Sequence, residues 1–162
     1  MSIRIGHGFD VHRLAAGRPF ILGGVHIPCD RGPLGHSDAD VLTHAIADAL
    51  LGAAALGDLG RHFPDSDARW KNANSMELLA QVRGMLEAGK FRVGNVDATV
   101  VVQSPRLAPF IDDMRAAVAR TLALALDAMS IKAKTSEGLG YTGDGSGIAA
   151  YAVVLISGAD SP

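Results

Sequence analysis

Asp10 and His12 stand two residues apart in an alternating apolar and polar stretch near the N-terminus. In a strand, side chains two apart share a face and lie about 6.6 Å apart along it. A carboxylate and an imidazole so placed can converge on one metal ion; the plainer alternative is a surface strand. Further on, Asp40, His44 and Asp48 line one face of an otherwise apolar helical stretch. A histidine with a carboxylate one turn away on each side has the arrangement that orients a metal-binding imidazole. The competing reading is a solvated acidic stripe with an incidental histidine. Taken together, Asp10, His12 and His44 give two imidazoles and one carboxylate, and three protein ligands leave the open position of a catalytic zinc site.

Three other clusters have chemical content. His36 and Ser37 sit just before the helix start, where free backbone N–H groups and the dipole favour a phosphate. Lys132 to Tyr141 places cations, hydroxyls and a carboxylate at a strand end before a glycine-rich turn. There Lys134 can meet a phosphate, and Glu137 can hold a hard divalent ion bridging phosphate oxygens. A strand edge with solvated charges explains the same residues without a ligand. Finally, Asp58-Leu59-Gly60 and Phe63-Pro64-Asp65-Ser66-Asp67 gather groups able to hydrogen-bond a polyol, although acidic surface loops are common.

The elements that must position these groups follow from periodicity and turn residues. Residues 3–13 alternate as a strand, and 19–28 read as strands broken at Gly23-Gly24. Val41, Leu42, Ala45, Ile46, Ala49, Leu50 and Ala53 give helical spacing over Asp38–Leu56, with Ser37 or Asp38 as cap. Gly57 to Gly60 ends that helix, and a polar loop runs to Ala73. Asn74 with Glu77 forms a capping-box pattern for a second helix to about Gly89. Residues 97–103 are β-rich, Ser104-Pro105 opens a third helix ending near Leu126, and strands over 130–136 and 147–157 flank the loop Gly138–Gly147. This order implies one α+β domain spanning 1–162, a mixed β-sheet with helices packed on one face.

Composition narrows the function classes. Of the 162 residues, 48% are hydrophobic and 5% aromatic, so aliphatic side chains must fill the core. The net charge of −2 supplies no basic excess for nucleic acid. No stretch approaches the roughly 18 consecutive apolar residues that a membrane helix needs. The one cysteine, Cys29, has no disulfide partner and reads as a small buried hydrophobe in a reducing, cytoplasmic compartment. The N-terminus passes directly into strand-like alternation, with no signal or transit segment.

Read in order, the pieces resemble one family. Arg4 to Leu14, His36 to Ile46 continuing through Gly60 to Asp67, and Lys132 to Tyr141 are similar to the three motifs of the 2-C-methyl-D-erythritol 2,4-cyclodiphosphate synthase family. The likeness runs from Arg4 to about Ile156. It implies a zinc-dependent phosphorus–oxygen lyase of isoprenoid precursor synthesis. Its substrate would be 4-diphosphocytidyl-2-C-methyl-D-erythritol 2-phosphate, whose 2-phosphate attacks the β-phosphorus and expels CMP. By the same resemblance, Asp10, His12 and His44 bind Zn2+, and Glu137 binds a second divalent ion, Mg2+ or Mn2+. His36 and Thr135 stabilise the transition state. Ser37, Asp58, Leu59, Gly60 and the Phe63, Pro64, Asp65, Ser66, Asp67 loop hold the sugar side. Val102, Gln103, Ser104, Pro105, Arg106, Leu107 and Ala108, with Lys134, Ser136 and Tyr141, form the cytidine and phosphate side. The resemblance further implies a homotrimer with sheets facing the threefold axis and active sites between subunits. A zinc phosphoesterase, or an inactive trimer that binds isoprenoid diphosphates, are the alternatives. One departure is local: Asp144 and Ser146 stand where many relatives carry Arg and Glu, so no anion-binding role is carried onto Asp144.

Overall fold

Strand β1 (Ser2–Ala16) alternates strictly along most of its length, and that alternation separates two environments. Gly6, Gly8 and Leu14 are buried on one side, while Ile3, Ile5, His7, Phe9 and Val11 point to the other and are exposed. After β1 come β2 (Phe20–Leu22), β3 (Val25–Ile27) and β4 (Arg31–Leu34). Helix α1 (Val41–Ala53) leads to the single-turn α2 (Leu59–His62) and then to α3 (Ser75–Ala88). The chain continues through β5 (Phe91–Val101), α4 (Ile111–Leu122), β6 (Met129–Lys134), the single-turn α5 (Gly140–Gly143) and β7 (Gly147–Gly158). This computed structural model describes residues 2–158; Met1 and residues 159–162 of the expected domain lie outside the described residues.

Five strands form one mixed sheet in the order β4-β1-β7-β5-β6, and β2-β3 is a separate hairpin. Every pairing in the large sheet is antiparallel except β5 with β6. That parallel pair needs a crossover, and α4 lies within it. Leu42, Ile46 and Leu50 of α1 join Val96, Val100, Ile148 and Val154 of the sheet in one buried cluster with α3 and α4 residues. Fully burying each of these aliphatic side chains contributes about 1.5–3 kcal/mol, so a core poor in aromatics is sufficient. Among the described residues, no helix covers the opposite sheet face: Ile5 is 71% and Ile3 65% exposed, and Phe9, Val11, Tyr151 and Val153 lie beside them.

The α+β class, the mixed sheet, the one-sided helices and the Gly23-Gly24 hairpin agree with the sequence reading. Both hairpin glycines have positive φ, 56° and 74°, which a residue without Cβ adopts freely. Several boundaries differ. Helix α1 begins at Val41 with Asp40, not Ser37 or Asp38, as its cap. The expected 97–103 strand begins six residues earlier at Phe91, because Gly94 and Asn95 are absorbed as a bulge against β7 rather than ending the strand. The third helix is shorter at both ends than 104–126. A 3-10 turn containing Pro109 precedes it, and Ala123 at φ 52° closes it. Strand β4 lies in a stretch left without an assigned element and helix α2 in one read as loop, and Cys29 is half-buried against the core rather than buried.

Candidate metal centre and nucleotide-side pocket

The buried face of β1 carries Gly6, Gly8, Asp10 and His12 in succession, and α1 lies directly on it. A Cβ at Gly8 would stand 1.9 Å from the Ala45 carbonyl oxygen, and one at Gly6 would stand 1.8 Å from that of Ala49. Only glycine permits this backbone-on-backbone approach. It carries His44, the neighbour of Ala45, to the level of Asp10 and His12.

The three side chains meet there. Asp10 Oδ2 lies 3.0 Å from His44 Nδ1 and 3.0 Å from His12 Nε2. One potential ligand atom from each residue falls within 4.8 Å of the others. The far ring atoms decide the protonation pattern. His12 Nδ1 is 3.0 Å from the Leu34 carbonyl oxygen, which only accepts, so Nδ1 carries the proton and Nε2 presents a lone pair. His12 Nε2 is buried and, among the described residues, without a hydrogen-bond partner. His44 Nε2 lies 2.8 Å from Ser75 Oγ and 3.2 Å from Ser37 Oγ. Ser75 Oγ in turn donates to Asp38 Oδ1. A carboxylate cannot donate, so the Ser75 proton is committed to Asp38 and Ser75 accepts from His44 Nε2–H. His44 Nδ1 therefore turns its lone pair toward Asp10. Two lone pairs and an ionised oxygen converging on one point are mutually repulsive unless a cation stands between them. This donor set fits a divalent metal such as zinc.

With no ion between them, shared protons relieve the same repulsion. Burial pushes the Asp10 carboxyl up, but the hydrogen bonds and charges of His12 and His44 outweigh it and hold it at about 2. Burial lowers His44, yet the bond to Asp10 and the charges of Asp10, Asp40 and Asp38 raise it above the usual histidine value. The expected flanking partners of His44 are occupied elsewhere. Asp40 is fully buried and accepts from Gly23 N, Gly24 N, Thr43 N and Thr43 Oγ1, joining the hairpin to the start of α1. Asp48 accepts from Leu59 N at 2.7 Å and anchors α2. The groups that orient His44 are Ser75 and Asp38, which spacing on α1 does not reveal.

Around this centre, Gly35 abuts the His12 ring, and the next residue, His36, has a buried Nε2 without a partner among the described residues. Asp58 caps α2 by accepting from Arg61 N at 2.9 Å, with exposed Gly60 and half-buried Leu59 following. In the 63–67 segment, Phe63 is buried edge-on against Trp70 with ring centroids 5.0 Å apart, so it anchors the loop. Asp65 and Ser66 are exposed, Pro64 is half-buried, and Asp67 holds Arg69 through several bonds.

The other expected residues lie elsewhere in the chain. Val102, Gln103, Pro105, Arg106, Leu107 and Ala108 line a cavity of about 240 Å³ with Ala133, Lys134 and Thr135; Ser104 is outside its lining. Thr135 donates to Glu137 at 3.1 Å, and both are exposed. Ser136 donates to Leu139 O at 2.8 Å and lies 2.7 Å from Thr142 Oγ1, so it secures the glycine turn; Tyr141 is 45% exposed. Sheet register measures the gap to the metal centre. Asp10 pairs with Ala150, Ala150 with Val100, and Val100 with Ala133. Three strand spacings separate Asp10 from Ala133, about 14 Å. One chain thus does not bring Thr135 and Glu137 to Asp10, His12 and His44. A larger groove, about 930 Å³, opens at Arg83, Lys90, Phe91 and Arg92 and contains none of the expected site residues.

Residues 3–157 match the YgbB family. The chain is 60% identical over 154 residues to 2-C-methyl-D-erythritol 2,4-cyclodiphosphate synthase from Syntrophomonas wolfei, covering 95% of this chain and 98% of that protein. It is similar in structure to a 2C-methyl-D-erythritol-2,4-cyclodiphosphate synthase in a CDP-bound form, with TM-score 0.88, 39% identity, and coverage of 95% of this chain and all of that one. It also superposes on the bifunctional IspDF from Campylobacter jejuni with TM-score 0.94 and 43% identity. That match covers 98% of this chain and 43% of the bifunctional protein. Among the described residues, no helix is long and apolar enough to cross a membrane.

Proposed function

The chain belongs to the YgbB family, and from that premise we propose that it converts 4-diphosphocytidyl-2-C-methyl-D-erythritol 2-phosphate to 2-C-methyl-D-erythritol 2,4-cyclodiphosphate and CMP, in isoprenoid precursor synthesis. The observation that carries the reading is the convergence of His12 Nε2, His44 Nδ1 and Asp10 Oδ2, a candidate cation site in a chain this similar to named synthases. In the reaction an oxygen of the 2-phosphate bonds to the β-phosphorus. The bond from that phosphorus to the oxygen shared with the cytidylate α-phosphorus breaks, and CMP leaves with the electron pair. Both partners are anionic, so repulsion and misalignment dominate the barrier. No general base is required, because the attacking oxygen is already ionised near neutral pH.

Asp10, His12 and His44 would hold zinc, whose Lewis acidity neutralises phosphate charge. His36, with its free buried Nε2, and Thr135 would contact the transferring phosphoryl group. Glu137 would hold the second ion, Mg2+ or Mn2+. Ser37, Asp58, Leu59, Gly60 and residues 63–67 would bind the methylerythritol end. The cavity of residues 102–108 with Lys134 would take the cytidine, with Ser136 and Tyr141 beside it; CDP in the related structure supports a ligand of this class. The span of about 14 Å across the sheet favours sites completed between chains. The uncovered apolar face of β1 and β7 fits a homotrimer whose sheets face the threefold axis. The reaction would take place in the cytoplasm, where cytidine nucleotides are made and Cys29 stays reduced.

The test is phosphorus NMR of the purified protein with zinc, magnesium and the cytidylated methylerythritol 2-phosphate. Coupled cyclic-diphosphate resonances should appear with equimolar CMP. Free inorganic phosphate would instead identify a hydrolase, and an unchanged spectrum with zinc bound would overturn the enzymatic reading.

A further inference from the structure

The segment 36–38, just before α1, is stitched to the segment 72–75 at the start of α3. Asn72 N donates to His36 O at 2.9 Å, Asp38 N to Ala73 O at 3.1 Å, and Ser75 N to Asp38 Oδ2 at 2.9 Å. Within this clamp, Ser75 Oγ donates to Asp38 Oδ1 and receives the proton of His44 Nε2 at 2.8 Å. Ser75 is fully buried, so no water competes for either bond. The two imidazoles of the centre are thus oriented differently. His12 leans on a neutral main-chain carbonyl, whereas His44 leans on a hydroxyl whose own proton is drawn off by a carboxylate.

We infer that Ser75 and Asp38 are positioning residues for the metal centre: they hold His44 in the Nε2–H tautomer, so that its Nδ1 lone pair is offered to the ion. A hydroxyl polarised by a carboxylate is a stronger acceptor than a free one, which makes the His44 ring more basic at Nδ1. The clamp also closes the long loop that begins at Asp58, because residues 72–75 are its exit. Metal loading and ordering of that loop therefore share one set of bonds, and zinc should protect the amides of 72–75 from exchange.

The inference rests on the proposed metal site, and the experiment separates the two. Zinc affinity is measured by chelator competition for the parent, Ser75→Ala and Asp38→Asn, alongside long-range proton–nitrogen NMR of the histidine rings. Loss of such an outer partner should weaken zinc binding about 10–100-fold in Ser75→Ala, with a smaller loss in Asp38→Asn, which keeps an acceptor for the Ser75 proton. The Nε2–H signal of His44 should shift in both, and the Nδ1–H signal of His12 in neither. Affinities within twofold of the parent together with an unmoved His44 signal overturn the inference. Should Ser75→Ala fail to fold by circular dichroism, the near-isosteric Asp38→Asn decides alone. A parent that binds no zinc contradicts the metal site itself.

Discussion

The two halves of the proposed site are built in opposite ways. On the metal side, Asp10, His12 and His44 sit on strand β1 and a buried helix, and each ring is fixed from behind by Leu34, Ser75 and Asp38. On the nucleotide side, Lys134, Thr135 and Glu137 are exposed at a strand end, and Thr135 and Glu137 bond chiefly to each other. One half gathers its candidate ligands within a single chain; the other exposes its groups at the rim of a pocket. Charges that must be held in a repulsive arrangement need burial and rigid backing, whereas groups that wait for substrate need access.

The sharpest way to break this contrast is His44→Ala. It should abolish cyclic product, a loss of at least about 10³-fold if several kcal/mol of charge stabilisation go with the ion, and should release stoichiometric zinc on dialysis; retained turnover would put the chemistry elsewhere. Next is Gly8→Ala, which forces a Cβ against the Ala45 carbonyl. An overpacked contact costs about 1–3 kcal/mol or more, so calorimetry should show a melting temperature lower by roughly 3–10 °C, with weakened zinc binding. Thr135→Ala should instead leave zinc affinity and melting unchanged while cutting turnover.

Subunit mixing sharpens the contrast further. Coexpressed His44→Ala and Thr135→Ala chains, each impaired alone, should reach up to about a quarter of parental activity if sites form between copies of a cyclic trimer; no recovery would place both halves within one chain. The smallest effect is expected at Asp97. Its carboxyl lies 2.6 Å from Lys132 Nζ on β6, and that bond holds it below the usual carboxylate value. The pair is about half exposed, so Asp97→Asn should cost under about 1 kcal/mol. The sign follows from the lowered value: the contribution is present above the ordinary carboxylate range and fades as acid titrates Asp97. Parent and variant melting curves should therefore converge at low pH.

Much of the metal side was legible because each ligand obeys a local period. Asp10 and His12 follow the strand repeat, and His44 follows the helix repeat. Asn74 was legible as the α3 cap, and it accepts from Met76 N at 2.9 Å. The backing of the rings was not legible. Ser75 and Asp38 are 37 residues apart, and Leu34 contributes only a carbonyl from a short strand whose glycine and proline hide any alternation. Asp40 and Asp48 misled for a physical reason: helical spacing places a side chain on a face but does not say which orphan N–H groups compete for it. Phe63 shows the same limit, since a motif position beside a polar loop also packs its buried ring against Trp70.

The contact of Gly6 and Gly8 with Ala45 and Ala49 bears on accuracy. When ligands come from two elements separated by a layer of side chains, every rotamer in that layer adds its own uncertainty to the distance between them. Here the stack of parts between Asp10 and His44 is two peptide backbones and no spacer. Tolerances have almost nowhere to accumulate, so repacking the rest of the core should alter stability long before it alters the separation of the ligands.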